Sequence, residues 1–252
     1  MIPATAAALT KLRTVRSMPW LLLLTLLIAT GLSWLLGTTF GHADTIRSVD
    51  DRPFDPLFAS FYGLSLAQLC LVTFAVLAVG SEFTTGTIRP ALLATPRRGV
   101  FYAGNLLALL LPVTAVAAAT VLAMFAVAQS ALGPRSTSLT APGVPAALAG
   151  AVLYLLLITL FAAGVATTLR GSTLSLGILL PLFFLGSQGL GNVPKLKAVT
   201  QYLPDQAGAV AWHLFGQPSD HPFGAGAGLL ILTLWTTAAL LTGWHSLHSH
   251  DT

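Results

Sequence analysis

Six stretches of this chain carry no Asp, Glu, Lys or Arg: Arg16 to Asp44, Asp55 to Glu82, Arg98 to Arg135, Arg135 to Arg170, Arg170 to Lys195, and Asp220 to Asp251. Each can hold the roughly 20 apolar residues that cross the hydrocarbon core of a bilayer as a helix. Only 8% of the residues are charged and 55% are apolar, whereas a soluble domain carries roughly 25% charged residues. Lipid is therefore the solvent to which this sequence is matched.

Trimmed by hydropathy, the gaps give transmembrane helices over 19–40, 57–79, 102–130, 145–169, 172–190 and 223–244. Residues 1–252 then read as a single all-α integral membrane domain with both termini on one side. A β-barrel also satisfies its backbone inside lipid, but these runs are rich in Leu and Ala and lack period-two alternation. Pro112 predicts a kink in the third helix, because proline removes a backbone donor and crowds the preceding turn, and Pro181 predicts the same in the fifth. The first run, Trp20 to Phe40, exceeds the roughly 7–15 residues of a signal-peptide core. It is expected to remain as a span.

Basic residues orient the bundle. Lys11, Arg13, Arg16, Arg89, Arg97, Arg98 and Arg170 fall on the side of the N-terminus, and Arg47, Arg52, Arg135, Lys195 and Lys197 on the other. Six acids, Asp44, Asp50, Asp51, Asp55, Asp205 and Asp220, also fall on the second side. The N-terminus is thus expected in the cytoplasm, in a multi-pass protein of the cell membrane. Every charged residue is expected at or beyond a membrane boundary.

Two polar segments face the cytoplasm in this topology. One is "SEFTTGTIRPALLATPRRG", residues 81–99, within a connection spanning 80–101. Glu82 ends the second span, Gly86 is a hinge, and Thr87 is placed to cap a short helix from Ile88 to Leu93 that Thr95-Pro96 ends. The other lies over residues 4–18, where Leu9, Leu12 and Val15 or Arg16 recur at helical spacing beside Lys11 and Arg13. That pattern predicts an interfacial helix with its basic face in water.

In these residues the chain resembles the type-2 ABC exporter permeases, the ABC-2 family with a type V exporter-like fold, particularly their short six-helix subunits. "KLRTVRS" at 11–17 is similar to the basic helix that precedes their first span, and "EFTTGTIRPALLATPRRG" at 82–99 to their cytoplasmic coupling loop. "YLPDQAG" at 202–208 matches their last external loop more weakly. The likeness implies that Glu82, Gly86, Thr87, Arg89, Pro96, Arg97 and Arg98 belong to a segment that docks on a soluble ABC ATPase. It further implies a homodimer of this chain, two ATPase copies below it, and ATP-Mg bound on the ATPase. The chain departs from the pattern in two places: Ala8 and Leu9 stand where those permeases carry an acid, and Asn105 where they carry a lysine.

Other chemistry is largely excluded by the residues. The lysines, Lys11, Lys195 and Lys197, follow Thr, Pro and Leu, so no Gly-Lys-Ser/Thr P-loop exists and energy for active transport has to come from a partner. Gly63-Leu64-Ser65-Leu66-Ala67 lacks the last glycine of an intramembrane serine-protease motif, and the predicted spans supply no histidine base. The chain is therefore expected to be no enzyme by itself, to bind no cofactor or metal directly, and to take no nucleic acid partner. "HSLHSH" at 245–250 fixes no metal geometry. An ion-coupled carrier needs a charged group within a span, and none is expected here. A membrane anchor, a sensor or a passive transporter remains the alternative class.

Uncharged polar side chains in the spans, Gln68, Thr73, Gln129, Ser187 and Gln188, either line a pathway or join helices. Gly224 with Gly228, Gly164 and Gly171 predict close helix contacts. Cys70, the lone cysteine, predicts packing. The segment 191–222, with Pro194, Pro204, Trp212, His213 and Pro218, is expected to fold onto the outer membrane surface as a partial plug or lid.

Overall fold

Apolar sequence in lipid has no water to satisfy its backbone, so each run must close its hydrogen bonds internally. The computed structural model describes residues 5–6, 8–10, 12, 17–42, 55–88, 90–91, 97–188, 199–212 and 222–249, and among them it contains helices and no strand. In chain order these are α1 (Ser17–His42), α2 (Pro56–Phe61), α3 (Leu64–Thr84), α4 (Arg98–Leu132), α5 (Val144–Leu169), α6 (Ser172–Gln188), α7 (Pro204–Ala209) and α8 (Ala225–Ser249). Single 3-10 turns extend α4 (Gly133–Arg135) and α7 (Val210–Trp212). Five helical segments are long and apolar enough to cross a membrane: Ser17–Gly41, Pro56–Thr84, Arg98–Arg135, Val144–Leu169 and Ala225–Ser249. The chain is an all-α, multi-pass membrane protein. The fifth expected crossing, 172–190, has 17 helical residues, about 25 Å at 1.5 Å per residue, and positions 189 and 190 lie outside the described residues.

Several boundaries differ from expectation for physical reasons. The second crossing is broken at Tyr62–Gly63 into α2 and α3. Asp55 caps α2 by accepting from the Leu57 amide at 2.8 Å, and a Cβ on Gly63 would lie 2.5 Å from the Ala29 carbonyl oxygen of α1. The break therefore lets two backbones meet. The third crossing runs 35 residues, about 52 Å, well beyond a hydrocarbon core of about 30 Å. Consequently the expected 80–101 connection shrinks: residues 80–84 complete α3 and 98–101 begin α4. Pro112 lies inside the continuous α4 and Pro181 inside α6.

Helices α3 and α5 form the centre, with α1 and α4 packed on one side, α8 against α5, and α6 against α3. Leu71, Phe74 and Ala75 of α3 meet Leu155, Ile158 and Ala162 of α5 in one apolar core, which continues through Val113, Val121 and Met124 of α4. Small residues set the spacing. A Cβ on Gly164 would stand 2.6 Å from the Ala239 carbonyl carbon, so α5 and α8 cross backbone to backbone. Gly228 does the same against Ala207 of α7, whereas Gly224 faces open space and Gly171 approaches only Leu169 of its own turn. The expected Gly224–Gly228 face is therefore a single contact.

Of the expected partial plug or lid, residues 199–212 are described, and they enter the bundle rather than lie on its surface. Pro204, Asp205, Ala207 and Gly208 are buried, because α7 packs among α8, α5 and α6. The Trp212 ring lies edge-on to Tyr154 with centroids 4.6 Å apart. Gly150 makes this possible, since a Cβ there would lie 2.5 Å from the Ala211 carbonyl oxygen. The segment is a wedge in the bundle. The remaining lid positions, 191–198 and 213–221, lie outside the described residues.

Gly228→Ala should lower the apparent Tm in detergent by several degrees, since overpacking a tight contact costs about 1–3 kcal/mol. Gly226→Ala, two residues earlier with nothing within 4 Å of its added Cβ, should leave the Tm unchanged or raise it. Equal melting of Gly228→Ala and wild type in a thermal shift assay would show that α7 does not seat against α8.

Candidate functional site

The polar island organises one end of the bundle. Helix α3 ends because Gly86 takes a left-handed conformation (φ 71°) immediately after the C-cap Thr85, a geometry that favours glycine. Two residues before the end of α3, Glu82 is only 9% exposed, and its Oε2 accepts a hydrogen bond from Asn105 Nδ2 of α4 at 3.1 Å. An acid and an amide thus pin the two helices together. Ala8 and Leu12 share with Glu82, Asn105 and Leu109 the lining of a void of about 10 Å³, so the N-terminal segment touches the same joint. Its described positions 5, 6, 8–10 and 12 are helical, while Lys11, Arg13 and Arg16 lie outside the described residues.

Beyond Gly86 the chain forms an exposed ledge of Thr84, Thr85, Gly86, Thr87 and Pro90, with Arg97 also exposed at the start of α4. The Thr87 hydroxyl turns back toward the Glu82 carbonyl oxygen (3.5 Å) and the Thr85 hydroxyl (3.0 Å). The Arg89 amide that a forward cap by Thr87 would reach lies outside the described residues. A helical turn does begin there, with the Ala91 amide donating to the Thr87 carbonyl at 3.3 Å. Ile88 anchors the ledge by burying its side chain with Phe101, Tyr102 and Leu247. Arg89 and Pro96 lie outside the described residues.

Arg97 and Arg98 look equivalent in sequence and are not. Arg98 Nη1 donates to the Leu247 carbonyl at 2.7 Å and the His248 carbonyl at 3.3 Å. Arg170 adopts a left-handed backbone (φ 52°) and donates through Nη2 to the Ser246 carbonyl at 2.5 Å and through Nε to its hydroxyl at 3.2 Å. Two cations therefore cap the last turn of α8, where unsatisfied carbonyls and the helix dipole favour positive charge. The Tyr102 hydroxyl adds a bond to the Leu240 carbonyl at 3.2 Å. Of the three expected docking cations, Arg98 is committed within the chain, Arg97 is exposed, and Arg89 lies outside the described residues. Sequence reasoning placed Ile88 and Arg170 on this side and began a span at Tyr102 without assigning any of them a contact, and treated Asn105 only as a departure from a pattern.

The expected pathway residues separate. Gln68 accepts from the Tyr154 hydroxyl, tying α3 to α5. Gln129 donates to the Pro56 carbonyl (3.3 Å) and the Ser60 hydroxyl (2.9 Å), and its Oε1 accepts from the Thr137 amide (2.6 Å). Both are joints. Thr73 and Cys70 instead line an apolar groove of about 680 Å³ between α1, α3 and α6, beside Leu21, Leu69, Pro181 and Phe184. The Thr73 hydroxyl is bonded to the Leu69 carbonyl of its own helix at 2.7 Å. Ser187 and Gln188 end α6, and their side chains lie outside the described residues. No group of three or more metal-ligating side chains occurs among the described residues.

A double-mutant cycle of Glu82→Gln and Asn105→Ala, read by equilibrium unfolding in mixed micelles, should give a coupling of about 1.5–3 kcal/mol, as for hydrogen bonds to charged groups. Additive effects would show that α3 and α4 are not pinned there. No family model matches this sequence, and no curated protein matches it.

Proposed function

We propose that this chain is the membrane-spanning permease subunit of an ATP-binding cassette exporter of the ABC-2 type. The carrying observation is the 81–99 end, where an exposed polar ledge is rigidly tied through Glu82–Asn105, Ile88 and Arg98 to α3, α4 and α8. A partner that moves the ledge moves three helices. In this reading α6 is the fifth of six crossings, both termini are cytoplasmic, and the basic bias of the N-terminal side supports that orientation in a cell membrane.

Two copies form the pathway and two soluble ATPases bind below, carrying ATP-Mg; the chain itself contributes no catalytic residue. Thr84, Thr85, Thr87 and Arg97 present the docking surface, with Arg89 beside them in sequence, while Arg98 transmits rather than docks. ATP-driven closure of the ATPases draws the two ledges together, and α3 carries that displacement to the groove it shares with α1 and α6. The apolar lining of that groove suits a hydrophobic substrate.

The test is recovery of the tagged chain from native membranes in mild detergent, identification of a soluble protein with a Walker A motif, and ATP turnover of the reconstituted pair. Glu82→Ala and Arg97→Ala should each lower chain-dependent turnover by about tenfold or more, the scale of a 1–3 kcal/mol coupling, with membrane insertion unchanged. Full turnover in both variants would sink the coupling role. Stable ATPase binding without substrate flux would make the chain an anchor or sensor.

A further inference from the structure

Asp205 was expected in water outside the bilayer, yet it is 1% exposed. It sits on α7 at the end of the bundle opposite the ledge. Its Oδ2 accepts a hydrogen bond from Gln206 Nε2 at 3.1 Å, and its Oδ1 is buried with no hydrogen-bond partner among the described residues. The elements packed on α7 are α5, α6, α8 and the 3-10 turn that follows it. From α5, Tyr154 faces Asp205. The described parts of α6, of the 3-10 turn, and of α8 up to Trp244 contain no Asp, Glu, Lys, Arg or His. The exposed Tyr202 precedes α7 in the chain.

A carboxylate with a desolvated, unbonded oxygen is costly when no cation stands beside it, and among the described residues none does, whereas the neutral acid is tolerated. Water has little room to enter, because Gly150 and Gly228 bring the wedge backbone directly onto α5 and α8. We propose that Asp205 is a proton-binding site that locks the 204–212 wedge, holding it seated when protonated and releasing it when the proton leaves. The wedge is then a pH-sensitive closure at this end of the protein.

Burial pushes the Asp205 carboxyl from 3.8 up to about 6, opposed only by bonds involving Gln206 and its own backbone. A released wedge exposes Asp205 to water and returns it to the ordinary range. Since the seated form binds the proton more tightly, seating is strongest in acid and weakens as pH rises from about 4 to about 6. It stays at that weaker level above, the whole change being about a hundredfold in the seated-to-released ratio.

The full chain in nanodiscs, with Cys70→Ser to silence the native thiol, tests this. Ala211→Cys, 5% exposed against Gly150 when seated, reports release through its labelling rate with a charged thiosulfonate. Leu139→Cys, 52% exposed, corrects for the pH dependence of the thiol reaction. The corrected rate should rise about tenfold between about pH 5 and pH 7, be flat and slow in Asp205→Asn, and still rise in Tyr154→Phe. A flat corrected rate in the chain that retains Asp205, or a rise that survives Asp205→Asn, would overturn the proposal. Should Asp205→Asn not fold, the profiles of the Asp205-containing chain and of Tyr154→Phe still decide it. No ATPase takes part, so failure here leaves the transport reading untouched, and failure of that reading leaves this one.

Discussion

A helix that ends near lipid leaves its last carbonyls without donors, and in this protein arginines from neighbouring helices supply them. Arg135, after α4, donates to the Phe40 carbonyl at the end of α1 (2.9 Å). Arg98 of α4 and Arg170 after α5 close α8. Hydrogen bonds from charged donors contribute about 1.5–3 kcal/mol each, and they act where the helix dipole is negative. A chain with 12 basic residues thus spends at least three of them on caps that also lock α1 to α4, α4 to α8 and α5 to α8. Apolar packing alone fixes helix spacing but not axial register, because lipid tails compete equally for the same surfaces. These caps set the register.

The charge-free gaps made the helices legible, because exclusion of charge from hydrocarbon is a local property of the sequence. Their ends were less so. Helix α4 continues into Arg98 and Gly99 because helical geometry persists outside lipid wherever a neighbour accepts the side chains, here Trp244 over Gly99 and α8 under Arg98. The break at Tyr62–Gly63 answers to Ala29 on another helix. The wedge read as a loop, since Pro204, Asp205 and Gln206 look polar, and the signal for burial is distributed over Gly150, Gly208 and Gly228 on three elements. No window of sequence contains it.

The site shows the same division. Glu82, Gly86, Thr87 and Arg97 stand out by type, but the partner that defines Glu82 is Asn105, an ordinary residue two turns into α4. Adjacent arginines differ only because one faces the end of α8. Gln68 and Gln129 were equally compatible with lining a path or joining helices, and their bonds to Tyr154, Pro56 and Ser60 make them joints. Pairing at long range is a property of the fold, so residue type alone left those alternatives open.

The two ends of the bundle are built on different physics, and that bears on how the proposed transporter would move. At the ledge, charged and polar side chains bond helices α3, α4, α5 and α8, so those helices shift together. At the far end, glycine-mediated backbone contacts seat the wedge against α5 and α8, and among the described residues no charged donor holds it. Long side chains keep their bonds through small displacements, whereas a backbone contact with no Cβ between its partners is either made or lost. Displacement at the ledge would then be transmitted smoothly along α3, while the wedge would respond as a two-position element. Helices α1 and α6 share the groove with α3 but, among the described residues, carry no arginine bond to the ledge, so relative motion would concentrate at the groove. The broken turn at Tyr62–Gly63, where α3 meets Ala29 of α1, is the pivot that this arrangement provides.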